Sequence, residues 1–151
     1  VDTVEEVQKA REIWKRVCER VKADGCVVHP DIQIGITIET PAAAICVDQF
    51  VNEIDFVSIG SNDLAQYLMA ADRENVELDY LLSPWQPAVM RVIQHVIRVC
   101  KESGIEVSVC GEAGGEPEYL KHLIRNGLRI VSVSRSRVDM TRLAISETII
   151  G

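Results

Sequence analysis

The chain has 151 residues, 47% of them hydrophobic, and a formal net charge of −7. That suffices for one domain with a real core, but not for a complete eight-unit β/α barrel, which takes about 250 residues. The acidic balance excludes bulk attraction to nucleic acid or to an anionic membrane surface, and it lets an anionic substrate in only where arginines, helix ends or a metal reverse the local field.

In chain order, residues 3–23 carry Val4, Val7, Ile13, Trp14, Val17, Cys18 and Val21 on one face of an amphipathic helix, with Asp2 or Thr3 as cap and Gly25 as its close. Ile32–Glu39 reads as a strand, with Ile34, Ile36 and Ile38 alternating, and Pro41 opens a helix over Ala42–Glu53. Asp55–Gly60 is short and almost wholly apolar, the pattern of a buried parallel strand. Ser61 or Asn62 opens a helical stretch to about Ala71, followed by an irregular region to Ser83. A long helix carries Val89, Val92, Ile93, Val96, Ile97 and Cys100 on one face and ends at Gly104. Ile105–Cys110 is a third strand, and Gly111, Gly114 and Gly115 form a flexible loop. Glu116-Pro117 starts a further helix to Asn126-Gly127, Leu128–Ser134 is a fourth strand, and Asp139 caps a last helix to Ile149. Alternating strands and helices imply an α/β fold built of parallel βα units.

The five cysteines, Cys18, Cys26, Cys46, Cys100 and Cys110, are odd in number and include no Cys-x-x-Cys pair. This count argues against a disulfide framework or zinc ribbon, and a reducing, cytoplasmic setting is expected. There is no signal-peptide pattern and no apolar run of membrane-spanning length. The chain runs from Val1 straight into a helical pattern, as a piece of a longer protein would.

Ligands of parallel α/β proteins gather at the carboxyl ends of the strands. Two neighbouring ends bring Glu39 and Asp63 to one rim, and two hard carboxylates there suit Mg²⁺; the competing reading is that each caps the helix that follows. Gly60 permits close backbone approach, and Asn62 offers an amide or a cap. Arg73 could return to the rim as a phosphate clamp, or pair locally with Asp72 and Glu74. Cys110 stands at a strand end before Gly111, where a thiol can meet a ligand, while Cys18, Cys46 and Cys100 read as core. His29, His95 and His122 form no metal-binding or triad spacing, and Gly111–Gly115 lacks the Gly-Lys-Ser/Thr of a P-loop.

The run Asp55-Phe56-Val57-Ser58-Ile59-Gly60-Ser61-Asn62-Asp63-Leu64-Ala65-Gln66-Tyr67-Leu68-Met69-Ala70-Ala71-Asp72-Arg73 closely resembles the signature of the phosphoenolpyruvate-utilising enzymes. Ile34 to Ala44 resembles the strand and helix before it, and Val109-Cys110-Gly111-Glu112 the strand end with the family's catalytic cysteine. The resemblance covers nearly the whole chain and weakens after Gly127. Gln66-Tyr67 and Ala70-Ala71-Asp72-Arg73 favour the Enzyme I branch, the phosphoenolpyruvate–protein phosphotransferases of bacterial sugar uptake, over pyruvate phosphate dikinase and phosphoenolpyruvate synthase.

The resemblance implies that residues 1–151 are the second half of a TIM (β/α)8 barrel. It further implies that Glu39 and Asp63 hold Mg²⁺, that Asn62, Asp63 and Arg73 bind phosphoenolpyruvate, and that Cys110 protonates the enolate to give pyruvate. The phosphoryl group would pass to a histidine on another domain and then to a small phosphocarrier protein, so the fragment alone is expected to be inactive. Arg135 stands where the family has a small residue or proline, and Arg129-Ile130 replaces an acidic pair. A reading from another class is a non-catalytic half-barrel assembly module, and for either the open sheet edges imply a homo-oligomer.

Overall fold

Four parallel strands lie in the order of the chain: β1 (Gly35–Ile38), β2 (Phe56–Gly60), β3 (Glu106–Cys110) and β4 (Ile130–Val131). The computed structural model describes residues 1–148, and of residues 112 and 113 the backbone alone. Among the described residues six α-helices alternate with the strands: α1 (Val4–Ala23), α2 (Pro41–Ile45), α3 (Ser61–Met69), α4 (Pro87–Ser103), α5 (Pro117–Arg125) and α6 (Val138–Ser146). A monotonic order of parallel strands sends every crossover to the same face of the sheet, the arrangement of a β/α barrel; a doubly wound sheet would reverse direction at a switch point. The fold is that of half such a barrel.

The period of two along each strand divides the sheet into unlike faces. Ile36, Ile38, Val57, Ile59, Val107 and Val109 point to the helices and join one buried cluster with Ala43 and Ala44 of α2, Leu64 and Ala65 of α3, Val89, Ile93, Val96 and Ile97 of α4, and Tyr119 and Leu123 of α5. Each fully buried Val, Leu or Ile contributes about 1.5–3 kcal/mol. A smaller cluster of Leu120, Ile124 and Ala144, with Val131 packed on it, ties α6 to α5 and β4. On the other face Thr37, Ser58 and Ser108 stand at one level across three strands. At the amino end of that face the Phe56 ring lies over Gly35, where a methyl group would collide with it.

Several elements are shorter than their sequence patterns. β1 begins at Gly35 because Ile34 is engaged otherwise: its N–H donates to Asp55 Oδ2 at 2.7 Å and its carbonyl accepts from the Asp55 N–H at 2.8 Å. The helix expected over residues 42–53 breaks at Cys46 (φ −98°, ψ 24°) and resumes as a 3-10 turn over Val47–Gln49, which places both Val47 and Phe50 in the core. β4 has a ladder partner on one side only and pairs through Ile130 and Val131, with Ser132 adding a hydrogen bond to the Val109 carbonyl at 2.9 Å. Asp139 is not the cap of the last helix; it stands in the first turn, after a 3-10 turn over Arg135–Arg137. The end expected for that helix, Ile149, lies outside the described residues.

Of the cysteines expected in the core, Cys100 is fully buried, and desolvation pushes its thiol up to about 11. Cys18 and Cys46 are half-buried, and Cys26 is exposed.

Helix α3 ends on Ala70, which adopts the left-handed conformation (φ 50°, ψ 39°) while its N–H donates to the Gln66 carbonyl. Only glycine takes this conformation without penalty; for other residues it costs about 1–2 kcal/mol. Ala70 is exposed. Ala70→Gly is therefore expected to stabilise the chain by about 0.5–1 kcal/mol, part of the relief being offset by the freer unfolded chain. A higher urea midpoint with an unchanged slope would bear this out; a lower midpoint would refute it.

Candidate functional site

The carboxyl ends of β1, β2 and β3 build one rim. Residues 35, 37 and 39 share a side of their strand, as do 56, 58 and 60, and 106, 108 and 110, so Glu39, Gly60 and Cys110 all belong to the sheet face away from the helices. Gly60 pairs with Cys110 in the ladder. Glu39 lies across Gly60: a Cβ there would stand 2.6 Å from Glu39 Cγ and 3.0 Å from its Oε1. The absence of a side chain at Gly60 thus makes room for the Glu39 carboxylate.

Asp63 occupies the third position of α3, so it is neither a cap nor a free strand end. Its carboxylate sits in the first helical turn, where the exposed N–H groups and helix dipole favour negative charge. Asn62 precedes it in the same turn; the helix opens on Ser61, as expected, and the cap position belongs to Gly60, so Asn62 is not the cap. Gly111 (φ 103°) approaches this turn so closely that a Cβ on it would lie 2.7 Å from Ser61 Oγ and 3.0 Å from Asn62 Oδ1.

Arg73 does return to the rim. Its Nη1 donates to Asp63 Oδ1 at 3.1 Å, and Asp72 is occupied instead by the Glu74 N–H. The left-handed turn at Ala70 reverses the chain and makes this contact possible. With 58% and 36% of the two side chains exposed, the pair adds at most about 1 kcal/mol, so its importance lies in placing a guanidinium beside the carboxylate.

Cys110 is half-buried. Its sulfur accepts a hydrogen bond from Ser58 Oγ at 3.4 Å and donates to the Ile59 carbonyl at 3.4 Å, while Ser61 Oγ donates to the Cys110 carbonyl at 2.8 Å. The thiol is thereby aimed along the rim from both sides. Ser58 and Ser61 lie within the signature run, but the sequence singles out neither of them as a site residue. The available signal was the alternation that puts Ser58 on the same side as Gly60.

Among the described residues no group of three or more His, Cys, Asp or Glu side chains could hold a metal ion. Glu39 and Asp63 are two hard oxygen donors from adjacent strand ends. That donor set fits Mg²⁺, which commonly takes one or two carboxylates and completes its shell with water and substrate oxygens. The three histidines stand elsewhere: His122 contacts Gln94 and Asn126, and His95 contacts the Ile45 carbonyl and Arg98. None of the described helices is long and apolar enough to cross a membrane.

The fold and rim have known counterparts. The family model described as "PEP-utilising enzyme, PEP-binding domain" matches residues 1–149. A probable phosphoenolpyruvate synthase of Pyrococcus horikoshii is 41% identical over 144 residues, covering 95% of this chain and 17% of that protein. The phosphoenolpyruvate-protein phosphotransferase of Streptococcus equinus is 42% identical over 142 residues, covering 94% and 25%. That of Geobacillus stearothermophilus is 41% identical over 147 residues, covering 97% and 25%. The chain thus spans a quarter or less of the length of these relatives. A crystal structure of a pyruvate kinase from Cryptosporidium parvum superposes with a TM-score of 0.68 at 16% identity, over 95% of this chain and 29% of that one, a likeness of fold alone. A match over almost the whole length, on a rim that carries the signature residues, makes the chain a member of the phosphoenolpyruvate-utilising enzymes, corresponding to their phosphoenolpyruvate-binding domain.

Proposed function

We propose that the rim formed by Glu39, Asn62, Asp63, Arg73 and Cys110 binds phosphoenolpyruvate together with Mg²⁺ and is part of the catalytic site of a phosphoenolpyruvate–protein phosphotransferase. The observation that carries this reading is the Glu39 carboxylate lying across the bare Gly60, on the same sheet face as the Cys110 thiol and beside the helix turn that bears Asp63. Mg²⁺ held by Glu39 and Asp63 would supply a Lewis acid that neutralises phosphate charge.

The chain's own groups have separate tasks. Arg73 exchanges its Asp63 partner for phosphate oxygens, with a fork of donors suited to them. Asn62 offers an amide to the same substrate. As the bond between phosphorus and the enol oxygen breaks, the phosphoryl group goes to a histidine of a separate domain and the electron pair stays on the enolate. Cys110 then gives its Sγ proton to the enolate methylene carbon, forming pyruvate, and recovers a proton from solvent. The acceptor histidine lies outside this chain, so the unit alone binds but does not turn over. The phosphotransferase assignment rests on Gln66-Tyr67 and on Ala70-Ala71-Asp72-Arg73. The equally similar Pyrococcus synthases favour a second reading, in which the same half-site serves a synthase. Exposed apolar side chains on α1 (Ile13, Trp14, Val17) and on α6 (Met140, Leu143, Ile145) support self-association.

Calorimetric titration of the chain with phosphoenolpyruvate in the presence and absence of Mg²⁺ tests the binding. The expected result is saturable, Mg²⁺-dependent binding that Asp63→Ala weakens by about tenfold or more. Binding indifferent to both the metal and Asp63 would end the proposal. With the remainder of the barrel and a phosphohistidine domain supplied in trans, Cys110→Ala should reduce pyruvate formation far more than substrate binding.

A further inference from the structure

A second cavity opens beside the rim. It has a volume of about 340 Å³ and is lined by Gly111, Gly115, Ser132, Val133, Ser134 and Arg137. It lies at the carboxyl ends of β3 and β4, and through Gly111 it adjoins the turn that holds Asn62. The volume is at the lower end of the range for small-molecule sites.

Its chemistry is cationic and polar. Arg137 spans Gly115: a Cβ on that glycine would lie 2.5 Å from Arg137 Cδ, and Arg137 Nη1 donates to the Gly115 carbonyl at 2.9 Å. Gly114 is equally constrained, since a Cβ there would stand 2.6 Å from Val131 Cγ2. Gly115 therefore lets the arginine lie along the loop that follows Cys110, while Gly114 lets that loop close on Val131 of β4. One of the five guanidinium N–H donors is used on Gly115, and no carboxylate among the described residues pairs with Arg137. The hydroxyls of Ser132 and Ser134 line the same space, Ser134 exchanging a hydrogen bond with Ser136 at 3.2 Å. Residues 132–138 contain Arg135 and Arg137 and no acidic residue, within a chain of net charge −7. A planar fork of donors with no carboxylate partner among the described residues, held by a carbonyl beside Ser132 and Ser134, is suited to oxyanions.

We propose that this cavity is a second anion-binding site, distinct from the Glu39–Asp63 rim, which takes the phosphate or carboxylate group of a small metabolite. Neither Glu39, Asp63 nor Arg73 lines it, so it does not depend on the function proposed above.

The test is a ¹⁵N-resolved NMR titration of the 151-residue chain with inorganic phosphate and, separately, with acetate, each against sodium chloride at matched ionic strength. Saturable shifts are expected at the Gly115, Ser132 and Ser134 amides, weakened about tenfold or more by Arg137→Ala and within about threefold of the parent in Arg73→Ala and Asp63→Ala. Arg137→Lys, which keeps the charge but loses the fork, should fall between parent and alanine. Tighter phosphate than acetate assigns the site to a phosphoryl group, and the reverse to a carboxylate. Shifts that follow ionic strength without saturating, that survive Arg137→Ala, or that vanish in Arg73→Ala would overturn the proposal. Should Arg137→Ala unfold the loop, Ser132→Ala and Ser134→Ala together must weaken binding at least threefold, and unchanged affinity in that double variant is equally fatal.

Discussion

Gly111→Ala is expected to lower the stability of the chain by about 2–4 kcal/mol and to disorganise the rim at the same time. Two effects add. Gly111 holds φ at 103°, a conformation that L side chains rarely adopt, and the strain of placing one there is about 1–3 kcal/mol. The new methyl group would also stand 2.7 Å from Ser61 Oγ and 3.0 Å from Asn62 Oδ1. Ser61 is buried, and its hydroxyl satisfies the Cys110 carbonyl, so pushing it aside removes a partly buried hydrogen bond worth about 1 kcal/mol. Gly25 provides the control. It too has a positive φ, 83°, but nothing lies within 4 Å of a Cβ placed on it. Gly25→Ala should therefore show the backbone penalty alone, about 1 kcal/mol. Urea unfolding of both variants measures the difference. Equal losses at the two positions would reject the steric account of Gly111.

Gly60→Ala should do the reverse, leaving the fold nearly intact and damaging the site. The backbone at Gly60 (φ −79°, ψ 82°) is open to any residue, so no strain arises. The three atoms nearest the added methyl group all belong to the Glu39 side chain, and a glutamate side chain can swing away. The expected change in stability is within about 1 kcal/mol, while Mg²⁺-dependent affinity for phosphoenolpyruvate falls about 10- to 100-fold. Because the methyl acts by evicting Glu39, combining it with Glu39→Gln should add little to either single change. Calorimetry on the two single variants and the double variant decides the point. Fully additive losses would mean that Gly60 and Glu39 act independently.

The elements read correctly from the sequence are those whose periodicity is long or whose punctuation is strong. Helix α4 carries more than four turns of apolar spacing, and it ends at Gly104 as expected. Strand β2 is a short run, apolar but for Ser58, ending in glycine. The misread elements failed for tertiary reasons. Ile34 continues the alternation of β1, but the side chain of Asp55, 21 residues away, takes its N–H. The stretch after Pro41 looks uniformly helical, yet bringing both Val47 and Phe50 inward demands a tighter turn after Cys46.

The site was legible to the same degree. Strand ends alone bring Glu39, Gly60 and Cys110 to one rim, because that follows from parallel topology. The contact of Arg73 with Asp63 depends on a left-handed residue at Ala70, and alanine gives no sign of that conformation. The hydrogen bond from Ser58 to Cys110 depends on the register of β2 against β3, which local pattern does not determine. The cavity at Arg137 depends on that arginine packing against Gly115, 22 residues away.

The level of Thr37, Ser58 and Ser108 across the sheet has a consequence for how such a unit can be used. Barrel interiors are ordinarily filled by bulky branched side chains, and a half-barrel so lined would expose an oily concave wall. Here the middle of that wall is wettable, with Phe56 at its amino end, and the main cohesive layer lies between strands and helices. Folding and completion of the ligand site are therefore separable events. A defect in mating with a complementary half would be seen as lost ligand affinity at an unchanged melting temperature, so thermal stability is a poor screen for joined or recombined halves of this architecture.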